Sequence, residues 1–403
     1  MKKNILIISP FNPFGACLGG ASRTVRTRIE RMSRDAKVTL LTFFETNQDE
    51  EIIHELKINA MFAHYTQKAN TKGKGLRRLK NIITGKLMVF THINAMIDVL
   101  LPLVDDVLKK QKFDLVQIED IIIAPIAQYL PKDVQKILFF HNVMTTYYAR
   151  IRDSRKNIIK RLSAAGEWCW IKRFEKKTLR YFDAAVVLTD EEQKQIRAIS
   201  GSVALYKIPL EVDTVAIVPR KDKQDFPSVA FSGTMSYPPN EEAVLHFAGN
   251  ILPLIRKKFA EIKFYIVGRC PGKEVQRLAY SSVFVTGEVE NVQDYLAKSN
   301  VIVVPIMTGA GMRIKILEAF AMGKAVVSSS LGAEGIACSD GENIMIADDP
   351  REFAEKVCFL LENRGKAETL GLNARKLAER EYDADVVWKK WRKIYDRLLT
   401  EGT

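Results

Sequence analysis

The sequence predicts an α/β protein with two doubly wound halves, and three observations carry that expectation. Short Ile- and Val-rich runs alternate with longer segments of helical period, the pattern of a parallel sheet with helical crossovers. The strand candidates are apolar throughout rather than at every second residue, as strands covered on both faces must be. A polar, proline-punctuated stretch, Pro209 to Pro227, with Pro219 and Arg220-Lys221-Asp222-Lys223-Gln224-Asp225 inside it, separates them into two sets.

The first set is Ile5-Ile8, Val38-Phe43, Leu115-Ile118, Ile137-Phe140, Ala185-Leu188 and Val203-Tyr206. The second is Val229-Phe231, Phe264-Val267, Val283-Val285, Val301-Val304 and Ala325-Ser328. Two Rossmann-like domains are therefore expected, residues 1–215 and residues 216–384, facing across a cleft between the carboxyl ends of their sheets, where α/β folds bind ligands. Asp385 to Leu399 places Val387, Trp391, Ile394 and Leu398 on one helical face, flanked by Trp388 and Tyr395, and reads as a terminal helix docked on a core. It is expected to return to the first domain as residues 385–403, and with the Pro209–Pro227 linker to serve as the hinge when ligand closes the two halves. The doublet Asp348-Asp349 before Pro350 reads as a helix cap.

Composition narrows the class. A chain of 403 residues that is 47% hydrophobic and 27% charged buries a large core and is not a disordered solvating chain. Its two longest stretches without a charged residue, Asn4 to Ser22 and Phe226 to Asn240, are broken by two and three prolines, so no membrane-spanning helix is expected. The apolar run after Lys2-Lys3 stops at Ser9-Pro10, which suits a buried first strand better than an export signal. Cys17, Cys169, Cys270, Cys338 and Cys358 have no CxxC spacing, which argues against a disulfide scaffold or zinc site and for a reduced cytoplasm.

The net charge of +13 is lopsided. Residues 1–220 hold 36 basic against 23 acidic residues, and residues 221–403 hold 25 of each. Between residues 56 and 97 lie Lys57, Lys68, Lys72, Lys74, Arg77, Arg78, Lys80 and Lys86, interleaved with Leu76, Leu79, Ile82 and Ile83, and no acid. Such a stretch suits an anionic membrane surface at the inner face, or a phosphorylated substrate, and equally a solvated basic face. No nucleic-acid signature accompanies the charge.

The strongest local pattern is Pro305-Ile306-Met307-Thr308-Gly309-Ala310-Gly311-Met312-Arg313-Ile314-Lys315-Ile316-Leu317-Glu318-Ala319-Phe320. It follows a strand, turns on two glycines and enters a helix whose first amides and positive dipole end would hold phosphate. Arg313 and Lys315 add two positive charges, and Glu318, about one turn further in, is suited to accept hydrogen bonds from ribose hydroxyls. A glycine turn with a surface Arg and Lys is the alternative.

Residues 229 to 336 resemble the second domain of a family 4 (group 1) glycosyltransferase of the GT-B fold. The resemblance rests on Phe231-Ser232-Gly233-Thr234-Met235-Ser236-Tyr237-Pro238-Pro239-Asn240, Ile266-Val267-Gly268, Val285-Thr286-Gly287-Glu288-Val289, the Gly309 to Glu318 loop and Ser330-Leu331-Gly332-Ala333-Glu334-Gly335. Gly19-Gly20-Ala21 before a helix and Phe140-His141-Asn142 after a strand are similar to the family's acceptor-domain glycine loop and active-site histidine. The resemblance implies transfer of a sugar from a nucleotide-diphosphate donor to a polysaccharide or lipid-linked acceptor, usually with retention at the anomeric carbon, without a metal or other cofactor. It assigns catalysis to His141, Arg313 and Lys315. It assigns donor binding to Gly20, Gly233, Thr234, Gly268, Val289, Gly309, Ala310, Gly311, Met312, Arg313, Ile314, Lys315 and Glu318. Growing charge on the departing diphosphate would be met by helix-start amides with Arg313 and Lys315 in place of a divalent cation.

This chain departs from the pattern in two places. Many relatives carry two glutamates eight positions apart in the phosphate loop, and here the first is Ala310, leaving Glu318 alone. Many also supply an Arg and a Lys after the first C-domain strand, where Gly233-Thr234-Met235-Ser236 has neither, which leaves the phosphate role to Arg313 and Lys315. His141 would bond the donor sugar or support charge on the transferring group, or else is satisfied within its loop. Gly20 would bring backbone near the diphosphate or merely turn into a helix, and Arg23 and Arg26 would meet an anionic acceptor or solvent. Two further readings stay open: a sugar-nucleotide epimerase of the same architecture, and a non-catalytic nucleotide-sugar-binding protein supported by Ala310.

Overall fold

The protein is described by a computed structural model that covers residues 2–14, 20–43, 59–63, 88–155, 157–220 and 225–401. The basic stretch from Lys57 to Lys86, with Gly19, Cys17 and Lys221 to Gln224, lies outside the described residues except for the strand at 59–63. The chain forms two compact units, Met1–Ile208 with Lys390–Thr403, and Pro209–Lys389.

The first unit runs β1 (Asn4–Ile8), α1 (Gly20–Asp35), β2 (Lys37–Phe43), β3 (Asn59–Ala63), α2 (Met88–Lys110), β4 (Leu115–Glu119), β5 (Gln135–Phe139), α3 (Met144–Ser154), α4 (Ile158–Leu179), β6 (Ala184–Val187), α5 (Asp190–Ile199) and β7 (Ala204–Lys207). Its strands form one parallel sheet in the order β3-β2-β1-β4-β5-β6-β7, with Ile5 paired to both Val38 and Leu115. Strands β1, β4, β5 and β6 are buried along almost their whole length, as their unbroken apolar runs require. Edge strand β3, Asn-Ala-Met-Phe-Ala, has no unbroken aliphatic run and is absent from the expected set.

The second unit runs β8 (Ser228–Ser232), α6 (Pro238–His246), continued by a π turn (Phe247–Ile251) into α7 (Leu252–Arg256), then β9 (Lys263–Val267), α8 (Lys273–Gln276), β10 (Val283–Gly287), α9 (Val292–Lys298), β11 (Val301–Val304), α10 (Ile314–Ala321), β12 (Ala325–Ser328), β13 (Met345–Ile346), α11 (Pro350–Glu362) and α12 (Arg364–Leu377). The sheet is again parallel, ordered β10-β9-β8-β11-β12-β13. Connections leave β8 toward one edge and β11 toward the other, so these neighbours flank the point where the winding reverses. The two-residue β13 is too short to leave a periodic signal. At α11 Asp349 accepts from the Arg351 and Glu352 amides, while Asp348 holds Ser330 instead.

The last helix, α13 (Ala384–Glu401), buries Val387, Trp391, Ile394, Tyr395 and Leu398. Within the first unit Trp391 packs at 5.6 Å from Phe139, and the Tyr395 hydroxyl donates to Gln117 Oε1 at 2.6 Å. Among the described residues no helix is long and apolar enough to cross a membrane.

Candidate functional site

In the second unit the loops after β8 and β11 meet at the carboxyl edge of the sheet, where its winding reverses and where open α/β sheets bind ligands. Asn240 joins them. Its Nδ2 donates to the Thr234 carbonyl at 2.9 Å, and its Oδ1 accepts from Lys315 Nζ at 2.8 Å. Lys315 Nζ also lies 3.7 Å from the centroid of the Phe231 ring on β8. Gly233 makes room for this arrangement, since a Cβ there would stand 2.8 Å from Lys315 Nζ. A Cβ on Gly268, after β9, would come within 1.8 Å of the Gly233 carbonyl oxygen, so only glycine permits these two strand ends to touch. Val289 is half-buried in the segment after β10.

The loop before α10 turns through Gly309 and Gly311, at φ values of 107° and 80° that L side chains rarely adopt. Arg313 folds back along it, its Nη1 donating to the Ala310 carbonyl at 2.6 Å and also to that of Gly311. Ala310, Met312, Arg313, Lys315 and Glu318 are all buried, and Ile314 is half-buried. The expected pair of charges is thus present but set into the protein rather than displayed on its surface. Burial pushes the Lys315 ammonium well below its ordinary range, the neighbouring Arg313 pushes it further, and Glu318 pulls the other way. The helix-start amides of α10, the carbonyl-braced loop and this unsettled cation are brought together with Gly233, Thr234 and Gly268.

His141 and Gly20 belong to the first unit. Gly20 is the exposed first residue of α1, its carbonyl accepting from Thr24 Oγ1 at 3.1 Å. Arg23 is exposed, and Arg26 pairs with Glu30 at 2.7 Å. His141 lies two residues beyond β5, buried, with Phe11 and Phe139 edge-on at 5.0 and 4.7 Å. Its Nε2 is 3.3 Å from Oε2 of Glu119, the last residue of the adjacent β4. Glu119 Oε1 accepts from Gln117 Nε2 at 2.5 Å and from Arg28 Nη1. The Arg28 guanidinium lies between Phe139 and Trp391, at 4.1 and 4.2 Å from their centroids. Burial alone would raise the Glu119 carboxyl, but Arg28 and the His141 hydrogen bond outweigh it and hold the group down at about 2. A line of contacts therefore runs from Tyr395 on α13 through Gln117 and Glu119 to His141.

A second buried acid lies beside this histidine, and a third lies behind the residues that follow it. Asp120, at φ 110°, is raised to about 6 by burial, against the attraction of His141. Glu175 on α4 accepts from the Met144 and Thr145 amides at 2.8 and 3.3 Å, fixing the start of α3 just beyond the histidine loop, and burial raises it to about 7. Both groups hold their protons more tightly folded than unfolded, so they stabilise at low pH and lose that contribution as pH rises through about 6 and about 7. The first unit should accordingly unfold more easily as pH climbs from the ordinary values of these groups, 3.8 and 4.5, to about 6 and about 7, by up to about 1.4 kcal/mol per pH unit and group. Glu175→Gln should flatten the slope in melts taken across that range.

Glu119, Arg28, Asp120, Glu175 and Asn240 stand outside the site residues expected from the sequence. Arg28 had a signal: it falls on the apolar face of α1 with Val25, Ile29 and Met32. Glu119-Asp120, two acids closing an apolar strand, was another.

Residues 226–363 match the family Glycosyl transferases group 1. A 44.6 kDa protein of the cps region of Klebsiella pneumoniae, itself uncharacterised, is 24% identical over 291 residues, 69% of this chain and 73% of that one. A phosphatidyl-myo-inositol mannosyltransferase of Mycobacterium tuberculosis is 27% identical over 222 residues, 52% of this chain and 57% of the relative. Among solved structures, sucrose-phosphate synthase of Thermosynechococcus elongatus superposes with a TM-score of 0.74 at 15% identity, covering 99% of this chain and 100% of that one. Anabaena HepE in complex with UDP-glucose superposes at 0.64 and 11% identity, covering 98% and 99%. These likenesses show the two-domain α/β architecture of the GT-B enzymes, as the sequence led us to expect. It is in the second unit, over residues 226–363, that the chain carries its likeness to the group 1 glycosyltransferases.

Proposed function

We propose that this glycosyltransferase moves a sugar from a nucleoside-diphosphate donor to a polysaccharide or lipid-linked acceptor, with retention at the anomeric carbon, as a peripheral enzyme at the inner membrane face. The observation that carries the reading is the convergence of the Gly309–Arg313 loop, the start of α10 and Gly233-Thr234 on Lys315, at the winding reversal of the second sheet. A diphosphate placed there meets helix-start amides and the Lys315 ammonium, with Arg313 bracing the loop, so the charge that develops on the leaving group is stabilised without a metal ion. Glu318 takes the ribose hydroxyls, and segments around Gly268 and Val289 take the base. Gly20 and His141 serve the sugar and acceptor side, His141 supporting charge on the transferring group. HepE, crystallised with UDP and with UDP-glucose, supports a nucleotide-sugar donor. The mannosyltransferase named for phosphatidyl-myo-inositol supports a lipid-linked acceptor.

A panel of uridine-, guanosine- and thymidine-diphosphate sugars tests the donor assignment. One class should raise the melting temperature of the protein, since a ligand at about a hundred times its Kd adds about 2.7 kcal/mol to folded-state stability. The same donor should be consumed slowly without acceptor and release unmodified sugar. No shift with any donor and no consumption would reject the reading, and release of an epimerised sugar would replace it with the epimerase.

A further inference from the structure

We propose that the tip of the α3–α4 helical pair is a docking surface for an anionic lipid bilayer. It carries further the membrane-face part of the function proposed above. Three residues separate α3 from α4, and Asn157 caps the second helix through the Ile159 and Lys160 amides. Residues 157–163 are all exposed, and burial along α4 starts only at Ala164. The tip thus stands beyond the core that anchors its helix through Ile171 and Leu179.

What it presents is unusual for a surface that meets only water. Ile158, Ile159 and Leu162 retain 65%, 74% and 67% of their full exposure. Leu162 stands four positions from Ile158 and three from Ile159, so on the first turns of α4 it adjoins both. Single exposed aliphatics need no explanation, whereas a contiguous group marks a contact surface. Around them Arg155, Lys160 and Arg161 are exposed as well. From Arg150 to Arg161 the chain has six basic residues and one acid, Asp153, and that acid is bonded by Arg152 at 2.8 and 2.9 Å.

Lipid fits this combination better than protein. Centres of protein interfaces favour aromatic residues and Arg and are depleted in Lys, and the tip offers aliphatics with Lys160 in their midst. A bilayer boundary accepts branched aliphatics among the acyl chains, while Lys and Arg extend to the phosphates above them. Either force alone is weak and reversible, and together they hold a peripheral protein.

Flotation of the full chain with vesicles of equal parts phosphatidylcholine and phosphatidylglycerol tests the inference without reference to transfer. The wild type should float with these vesicles at low salt and much less with phosphatidylcholine alone. The Ile158→Ser/Ile159→Ser/Leu162→Ser variant should bind at least about tenfold more weakly. Lys160→Ala and Arg161→Ala should each cost about fivefold, an effect that salt erodes. All these positions are on the surface, so melting temperature and donor consumption should match the wild type. Equal flotation of the triple variant would overturn the proposal and move the contact elsewhere, to the Lys57–Lys86 stretch among others. Failure of the wild type to float would overturn it too, and if the triple variant also dissociated a dimer, the tip would be a protein interface.

Discussion

Lys315→Met is expected to lower sugar transfer by about a hundred- to a thousandfold, the usual cost of removing one preorganised donor to a developing anion, without weakening the fold. The reason lies in where the ammonium sits. Lys315 is buried between the Asn240 amide oxygen and the Phe231 ring, with Arg313 close enough to push its pKa further down. A buried cation in that position carries a desolvation penalty of several kcal/mol, while the hydrogen bond that Asn240 would lose is worth about 1–3 kcal/mol. Methionine removes that desolvation penalty, which outweighs the lost bond, so the melting temperature of the variant should equal or exceed that of the wild type. The pH dependence has a definite sign. Because folding lowers this pKa, the charged lysine costs its full amount of stability below it, and the cost is relieved as pH rises from it toward the ordinary value of 10.5. A bound diphosphate restores the proton, so donor KM should increase with pH above that lowered value, and the Met variant should lose this dependence. Steady-state kinetics and melts over one pH series measure both. A variant that loses activity and stability together would make Lys315 a structural cation.

Much of this site was legible because parallel sheets write their strands plainly. Uniform apolar runs located β1, β4, β5, β8, β9, β11 and β12 to within a residue or two, and the strand-Gly-Gly-helix pattern put Gly309 to Glu318 in its place. Edge strands β3 and β13 escaped because the first carries no unbroken aliphatic run and the second is two residues long. Pattern also named Arg313 and Lys315 without revealing their burial. That depends on Asn240 and Phe231, which come from a helix start and a strand 75 and 84 positions earlier, and on a Gly233 whose missing side chain is the space they use. The surroundings of His141 were hidden for the same reason. Arg28 and Glu119 are 91 positions apart, and neither is informative until α1 is laid against β4. A charged residue on an apolar helix face was the visible half of that pair, and Arg23 and Arg26, the more conspicuous arginines, turn outward or bind Glu30.

Glu119→Ala should destabilise the first unit by about 3–5 kcal/mol, because it strands the Arg28 guanidinium in the core. At about 2–4 °C per kcal/mol for a unit of this size, the loss is on the order of 10 °C in melting temperature. Held at about 2, against 4.5 as its ordinary value, this carboxyl contributes its stability above the ordinary value and loses it only as pH falls toward about 2. The wild-type contribution is therefore complete at neutral pH. The paired change Arg28→Met/Glu119→Gln separates structure from function. It removes both charges, keeps the volume between Phe139 and Trp391 filled, and should recover most of the stability, since a buried ion pair replaced by groups of like size is close to neutral. Transfer should stay low in the double variant, with kcat reduced more than donor KM, because His141 no longer faces an ionised partner at 3.3 Å. Full recovery of kcat along with stability would mean that Glu119 holds Arg28 and nothing more, and that the line of contacts from Tyr395 to His141 supports α13 rather than the reaction.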